Sequence, residues 1–216
     1  MRTISLFTVA VVMITACSVG RKMSFENKNI ATDYTNAKSM IVGFQDNRSY
    51  VLEGKQKPSF CGQMKSTVQI PYNVQTKSGK PLAVEFTNAL VASLSKLGIK
   101  AMPMLIELNT QQDSILARFN RADAERLVHF NVKQWEANLT PTFEEMRYDV
   151  TWEFVISVYD RSGSLLATRS VADRVTKKPF QLAGTKEYLQ KTADEVFAEQ
   201  VKLLLNDPAV KASLMN

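Results

Sequence analysis

Residues 148–175 read YDVTWEFVISVYDRSGSLLATRSVADRV. Val150, Trp152, Phe154, Ile156 and Val158 share one face of this stretch, backed by Thr151, Glu153 and Ser157. A period of two over that length predicts a half-buried β-strand. Asp160-Arg161-Ser162-Gly163 supplies turn residues and Leu165 to Val175 a returning strand, so the stretch predicts an antiparallel hairpin. A hairpin with one apolar face needs a covering layer.

That cover is legible on both sides. Across residues 81–97, Leu82, Phe86, Leu90, Leu94 and Leu97 recur at steps of three and four, the stripe of an amphipathic helix. Pro81 suits a first helical position, and Gly98 the position just past a helix end. Residues 185–205 carry a second stripe through Leu189, Ala193, Val196, Phe197, Gln200 and Leu204. Asn206-Asp207-Pro208 stops it, with a short helical tail to follow.

Further strands are expected where Met40, Val42 and Phe44 alternate, and over residues 99–108 with a break at Pro103. Another is expected where Val128, Phe130 and Val132 alternate with His129, Asn131 and Lys133. Thr110 and Asp113 read as a capping-box variant opening a short helix with Ile115, Leu116 and Phe119. Residues 47–66 hold Gly54, Pro58 and Gly62 among charges and read as a long loop. Val68, Ile70, Tyr72 and Val74 then alternate, but Pro71 demotes that run to an edge or an extended loop. The order predicts one α/β domain: a two-layer sandwich with a mixed, mostly antiparallel sheet and two long amphipathic helices on one face.

The start of the chain reads as an address. After Arg2, residues 6–14 carry no charge. Nine residues fall short of the roughly 20 that a spanning helix needs, but suit a signal-peptide core. By themselves they also fit an ordinary cleaved signal or an uncleaved anchor. The run ends in Ile14-Thr15-Ala16-Cys17, which resembles the lipobox of bacterial lipoproteins. The resemblance implies a cleaved signal peptide over residues 1–16 and lipid on Cys17, palmitate included. With Ser18 rather than Asp next, it also implies residence on the outer membrane, the domain lying in the periplasm. Residues 17–37 are polar without a clear period and are expected as the lipidated N-terminus and a flexible tether, ahead of a single domain over residues 38–216.

The layout adds a second resemblance. It rests on the strand ending at Asp46-Asn47-Arg48, the helix ending Leu97-Gly98-Ile99, and Ala122-Asp123-Ala124-Glu125 leading into a strand. The YDRSGSLL turn, from Tyr159 to Leu166, and the final helix complete it. Together these resemble the YajG-type family of bacterial lipoproteins, the N-terminal domain of TolB and the periplasmic domain of the curli-secretion lipoprotein. The resemblance implies an envelope component without chemistry of its own. The long 47–76 insertion departs from it.

The residues themselves offer little chemistry. His129 is the only histidine, and two cysteines are too few for a zinc site. No G-x-S-x-G elbow and no phosphate-cradling glycine loop occurs. His129 is expected as a solvated strand residue beside Asn131 and Lys133. Glu144-Glu145 and the Asp123/Glu125 pair are expected as solvated carboxylates, and Asp46 and Arg48 as an ion pair orienting a turn. With Cys17 lipidated, Cys61 has no partner in the chain, leaving a buried thiol or a mixed disulfide. The net charge of +6 lies in short pairs, without the stripe of a nucleic-acid binder. No catalytic residue, metal or cofactor is expected.

The candidate contact residues are aromatic. Tyr50, Phe60 and Tyr72 lie in the 47–76 loop. Trp135 falls on the His129 side of its strand, near Phe143, Met146 and Tyr148. These form a surface patch for a partner or lipid, or Trp135 is core beneath the helices. The expected function is a membrane-anchored, non-enzymatic assembly, scaffold or interaction component of the cell envelope. It would be held by lipid on Cys17 and bind another envelope protein, with homo-oligomerisation open. The alternative is a lipid or glycolipid carrier whose cleft, between helices and sheet, is lined by residues such as Trp152 and Leu90.

Overall fold

A computed structural model describes residues 22–25, 30, 32, 34, 36–142, 144–178 and 185–215. Cys17, the signal segment and Phe143 lie outside the described residues. The strands are β1 (Lys22–Met23), β2 (Met40–Asp46), β3 (Phe60–Lys65), β4 (Pro71–Thr76), β5 (Ala101–Pro103), β6 (Arg126–Pro141), β7 (Met146–Asp160) and β8 (Leu165–Lys177). The helices are α1 (Ser49–Leu52), α2 (Leu82–Lys96), α3 (Gln112–Asn120), α4 (Thr185–Leu205) and α5 (Pro208–Met215).

All eight strands join one mixed sheet, curled into a half-barrel rather than a flat layer. β6 is its axis. On one side it pairs in parallel with β2 through residues 126–132 and then touches β3 at Leu139. β5 lies beyond β2, and β4 and β1 beyond β3. On the other side β6, β7 and β8 run antiparallel, as the hairpin pattern predicts. Asp160 fixes the β7–β8 turn, accepting bonds from the backbone of Ser162 and Ser164, with Gly163 in the left-handed region at φ 81°.

The concave face packs against α2, α4 and α5 around stacked rings. Phe86 on α2 lies 4.1 Å from Phe197 on α4, and Phe44 on β2 lies 4.4 Å from Phe130 on β6. Each such pair contributes about 0.5–1.5 kcal/mol beyond its buried area. The convex face is not bare, however. Ile115 and Phe119 of α3 pack there on Ile41, Leu127 and Tyr159, so helices cover both faces rather than one. The expected cap at Thr110 does not form. Its hydroxyl donates to the Glu107 carbonyl, and α3 starts after Gln111 without a side-chain cap.

Two expectations about chain order are corrected. The 47–76 segment is not a loop. It folds as α1 and the antiparallel pair β3–β4, and Gly62 makes the bend available. Its φ is 154°, and a Cβ there would collide with the Ala137 carbonyl of β6. The expected tether also belongs partly to the fold. Met23, Phe25 and Ile30 are core residues, and β1 pairs in parallel with β4. Polar groups on the helices fasten this arm: Gln190 both accepts from and donates to the Ser24 backbone, Glu85 accepts the Phe25 N–H, and Ser93 accepts the Ile30 N–H at 2.6 Å.

A third correction concerns the strand face of Trp135, for which the core alternative holds. Between Val132 and Gln134 the β6–β7 register slips by one residue, so Lys133 is a β-bulge. Before it, Val128, Phe130 and Val132 face the core. After it, Trp135, Ala137 and Leu139 do. Trp135 therefore stacks on Phe154 at 5.8 Å inside the core, not on the His129 side. Deleting Lys133 alone removes the bulge and leaves Trp135, Ala137 and Leu139 inward in a regular ladder, whereas deleting Lys133 and Gln134 together turns all three outward. By circular dichroism, the single deletion is expected to keep the cooperative thermal transition and the near-ultraviolet tryptophan signal, and the double deletion to lose both.

Candidate interaction surface

Three of the four aromatic candidates do come together, as an internal clamp. β2 delivers Asp46 to the rim of the sheet, where Arg48 folds back on it. The fully buried guanidinium donates from Nε to Asp46 Oδ1 at 2.8 Å and from Nη2 to Oδ2 at 2.7 Å. Nη1 and Nη2 also donate to the Phe60 and Pro58 carbonyls, at 2.6 and 3.2 Å. The Tyr50 ring lies 5.4 Å from the same guanidinium and edge-on to Phe60. Its hydroxyl donates to the Trp135 carbonyl at 2.6 Å. Burial pushes the Tyr50 hydroxyl up to about 12, against the pull of Arg48.

Phe60, at 3% exposure, and the wholly buried Trp135 are thus packing residues and offer no surface to a partner. Tyr72 stands apart on β4, opposite Met64. Cys61 is buried with its thiol against the Ser59 carbonyl, which selects the buried reading, and burial pushes its pKa up. Leu90 and Trp152, the proposed lining of a lipid cleft, are core side chains in contact with the ring cluster.

His129 is corrected too. It is 8% exposed, on the convex face next to Gly43 of β2. The segment after β5 runs over this spot: Met104 and Ile106 close on Gly43, and Gln45 donates to the Thr110 carbonyl. His129 Nε2 and Asn131 Oδ1 are buried without a partner among the described residues. Burial pushes the imidazole down to about 4, so it is neutral near pH 7. Asp123 and Glu125 pair with Lys100 and Lys38, and Glu145 with Lys178. Among the described residues no helix is long and apolar enough to cross a membrane, and no cluster of acids, Cys and His could hold a metal.

The open surface lies at β8. Among the described residues this strand pairs with β7 alone, which leaves one edge of its 13 residues without a described strand partner. Beside that edge, Arg169, Ser170 and Val171 border a hollow of about 350 Å³ closed by Leu203, Leu204 and Pro208. Leu203 is 59% exposed there, and Arg169 bridges to Asp207 at 2.9 Å across the same hollow. Sequence reading finds β8 but not its edge position, because a strand's neighbours are set by the topology of the whole sheet. The one local signal is the polarity of residues 168–174, where Val171 is the only large apolar side chain.

No family model and no curated protein matches this sequence. Solved structures resemble it weakly. A Xanthomonas campestris protein described with the family DUF330 is 10% identical, covers 81% of this chain and 88% of its own, and gives a TM-score of 0.48. A putative neuraminyllactose-binding hemagglutinin homolog from Helicobacter pylori is 10% identical, with 90% and 95% covered and a TM-score of 0.36. The lipoprotein GNA1162 from Neisseria meningitidis is 11% identical, with 76% and 97% covered and a TM-score of 0.27. Likenesses at this level carry no functional conclusion, and the YajG-type and TolB resemblances gain no sequence-level support.

Two predictions follow from the buried polar groups. Arg48→Leu strands the Asp46 carboxylate in the core and is expected to cost about 3–5 kcal/mol in urea denaturation. The double change with Asp46→Leu is expected to cost less, because no charge is left unpaired. For His129, the folded value of about 4 lies below the unfolded value of about 6.5. The unfolded chain therefore binds the extra proton first, and stability falls as pH drops from 6.5 towards 4, by up to about 3 kcal/mol. In His129→Gln this part of the acid loss is absent; an unchanged slope of stability against pH would contradict the assignment.

Proposed function

We propose that this chain is a non-enzymatic component of a bacterial cell envelope, anchored by lipid on Cys17, that holds a protein partner by strand addition at β8. The single observation carrying this reading is the open 13-residue edge with an apolar hollow alongside. An added strand gains main-chain hydrogen bonds along the edge, and a side chain seated in the hollow gives selectivity. The titratable groups with the strongest burial effects, Tyr50, Cys61 and His129, lie inside packing and fit a structural role better than turnover. The lipobox reading of Ile14-Thr15-Ala16-Cys17 supplies the anchor and the outer-membrane, periplasm-facing location.

A second copy of the chain is the other reading, and one feature favours it. Antiparallel self-pairing centred on Val171 sets Arg169 of each copy opposite Asp173 of the other. It brings no like charges together, and opposite pairs across strands stabilise by about 0.2–1 kcal/mol.

The test is photo-crosslinking in cells from a residue analogue at Ser170 of the full-length protein, with Lys96 as a remote control position. The expected result is a discrete protein adduct from 170 that is absent from 96. It should disappear when Ala172 and Thr168, both exposed on β8, are changed to Lys, since edge charges block strand pairing. An adduct of twice the chain's mass selects the second copy. An adduct insensitive to the edge lysines, or none, overturns strand addition at β8. Cys17→Ala is expected to release the protein from membranes on fractionation.

A further inference from the structure

α3 covers only one end of the convex face. At the other end β3, β6, β7 and β8 surround a hollow of about 190 Å³. Its walls are Gln63 and Lys65 on β3, Asn138 and Thr140 on β6, Arg147 and Asp149 on β7, and Arg174 on β8. The Lys133 bulge creates this polarity, because the same slip that turns Trp135 inward turns Asn138 and Thr140 outward.

Asp149 organises the hollow. Its carboxylate is 3% exposed and accepts from Arg147 Nε at 2.8 Å, Arg174 Nη2 at 2.7 Å and Thr176 Oγ1 at 2.6 Å. Burial alone would raise its pKa, but bonds from Thr176, Arg174 and Arg147 outweigh burial and hold it below the usual carboxylate range. The carboxylate is therefore engaged on both oxygens and holds two guanidinium groups at one rim. Their other N–H groups have no protein acceptor among the described residues, and Lys65 forms no ion pair there. Asn138 accepts the Gln63 N–H and donates to Glu136, so it is wall rather than free donor. Three cations thus face one already paired carboxylate, and free donors outnumber free acceptors.

We propose that this hollow is a binding site for a phosphate group. At about 30 Å³ of liquid volume per water, it holds roughly six waters' worth of space, enough for one tetrahedral oxyanion and its solvent rather than a long chain. Guanidinium groups suit phosphate oxygens because their paired N–H groups match them bidentately. Fixing both arginines on Asp149 beforehand lowers the ordering cost of binding. The arginine side chains are 42% and 54% exposed, so binding is weakened by salt. The site shares β8 with the open edge through Arg174 but has no lining residue in common with the apolar hollow beside that edge.

The test is titration of the full-length protein in neutral detergent micelles with inorganic phosphate, following the Nε–Hε resonances of Arg147 and Arg174 by NMR. Saturation at one site is expected. Affinity should fall at least tenfold in the Lys65→Gln, Arg174→Gln double variant and stay unchanged in Lys96→Gln, which removes an exposed cation on α2, away from the hollow. Melting curves confirm that the variants fold; a double variant that does not fold is replaced by Lys65→Gln alone, expected to weaken binding severalfold. Short-chain phosphatidic acid, against diacylglycerol of the same chain length, distinguishes the source. Tenfold tighter binding than inorganic phosphate assigns a lipid headgroup, and equal binding assigns the phosphate itself. No saturable shift with either phosphate probe, or equal affinity in the folded variant, overturns the proposal.

Discussion

The fold depends on a bulge that absorbs one extra residue in β6. Side chains alternate strictly along a strand, so a slip of one position exchanges its two faces. β6 spans 16 residues and serves two neighbourhoods: beside β2 in its first half and β3 in its second. Lys133 is where it changes parity. The bulge carries its own charge outward, to Glu153 at 3.4 Å, and sharpens the local twist that curls the sheet. If the strand ran through Lys133 in regular alternation, without the bulge, Gln134, Glu136 and Asn138 would enter the space now filled by Trp135, Ala137 and Leu139. Burying such groups unpaired costs several kcal/mol, so the register is strongly specified.

Around that axis, polar side chains inside the molecule act as fasteners. Arg48 joins β2 to the start of β3 through one carboxylate and two carbonyls, while Tyr50 extends the link to β6. Glu85, buried on α2, accepts from Ser78 at 2.6 Å and from the Phe25 backbone. Each bond closes a gap where chain without regular pairing enters the core. A buried backbone N–H must be satisfied somewhere. These side chains explain how an N-terminal arm with only two strand residues is held.

The long periodic elements were legible in the sequence. The helix expected over 81–97 is Leu82–Lys96, the C-terminal helix and its tail are present, and the hairpin is in register with its turn. What failed depended on distant partners. Gly62 and Pro71 read as breakers, yet one lies against the Ala137 carbonyl and the other begins a strand. Met23, Phe25 and Ile30 are isolated apolar residues among polar ones, with no period to mark them as core. His129 sits at a polar position in its strand but is covered by a segment some 25 residues earlier in sequence, which no local pattern reports. Tyr50, Phe60 and Trp135, expected with Tyr72 as contacts for a partner or ligand, are instead packed together inside the fold.

The fastened arm also sets a reach. With lipid on Cys17, only five peptide steps separate the anchor from Lys22, the first residue of β1. Fully extended, they span at most about 18 Å, where a free leash running to residue 37 would have allowed several times that. Under the proposed lipidation, a domain so closely moored would stay at the bilayer surface with its β1–β4 side kept low, and whatever met it would have to come to the membrane.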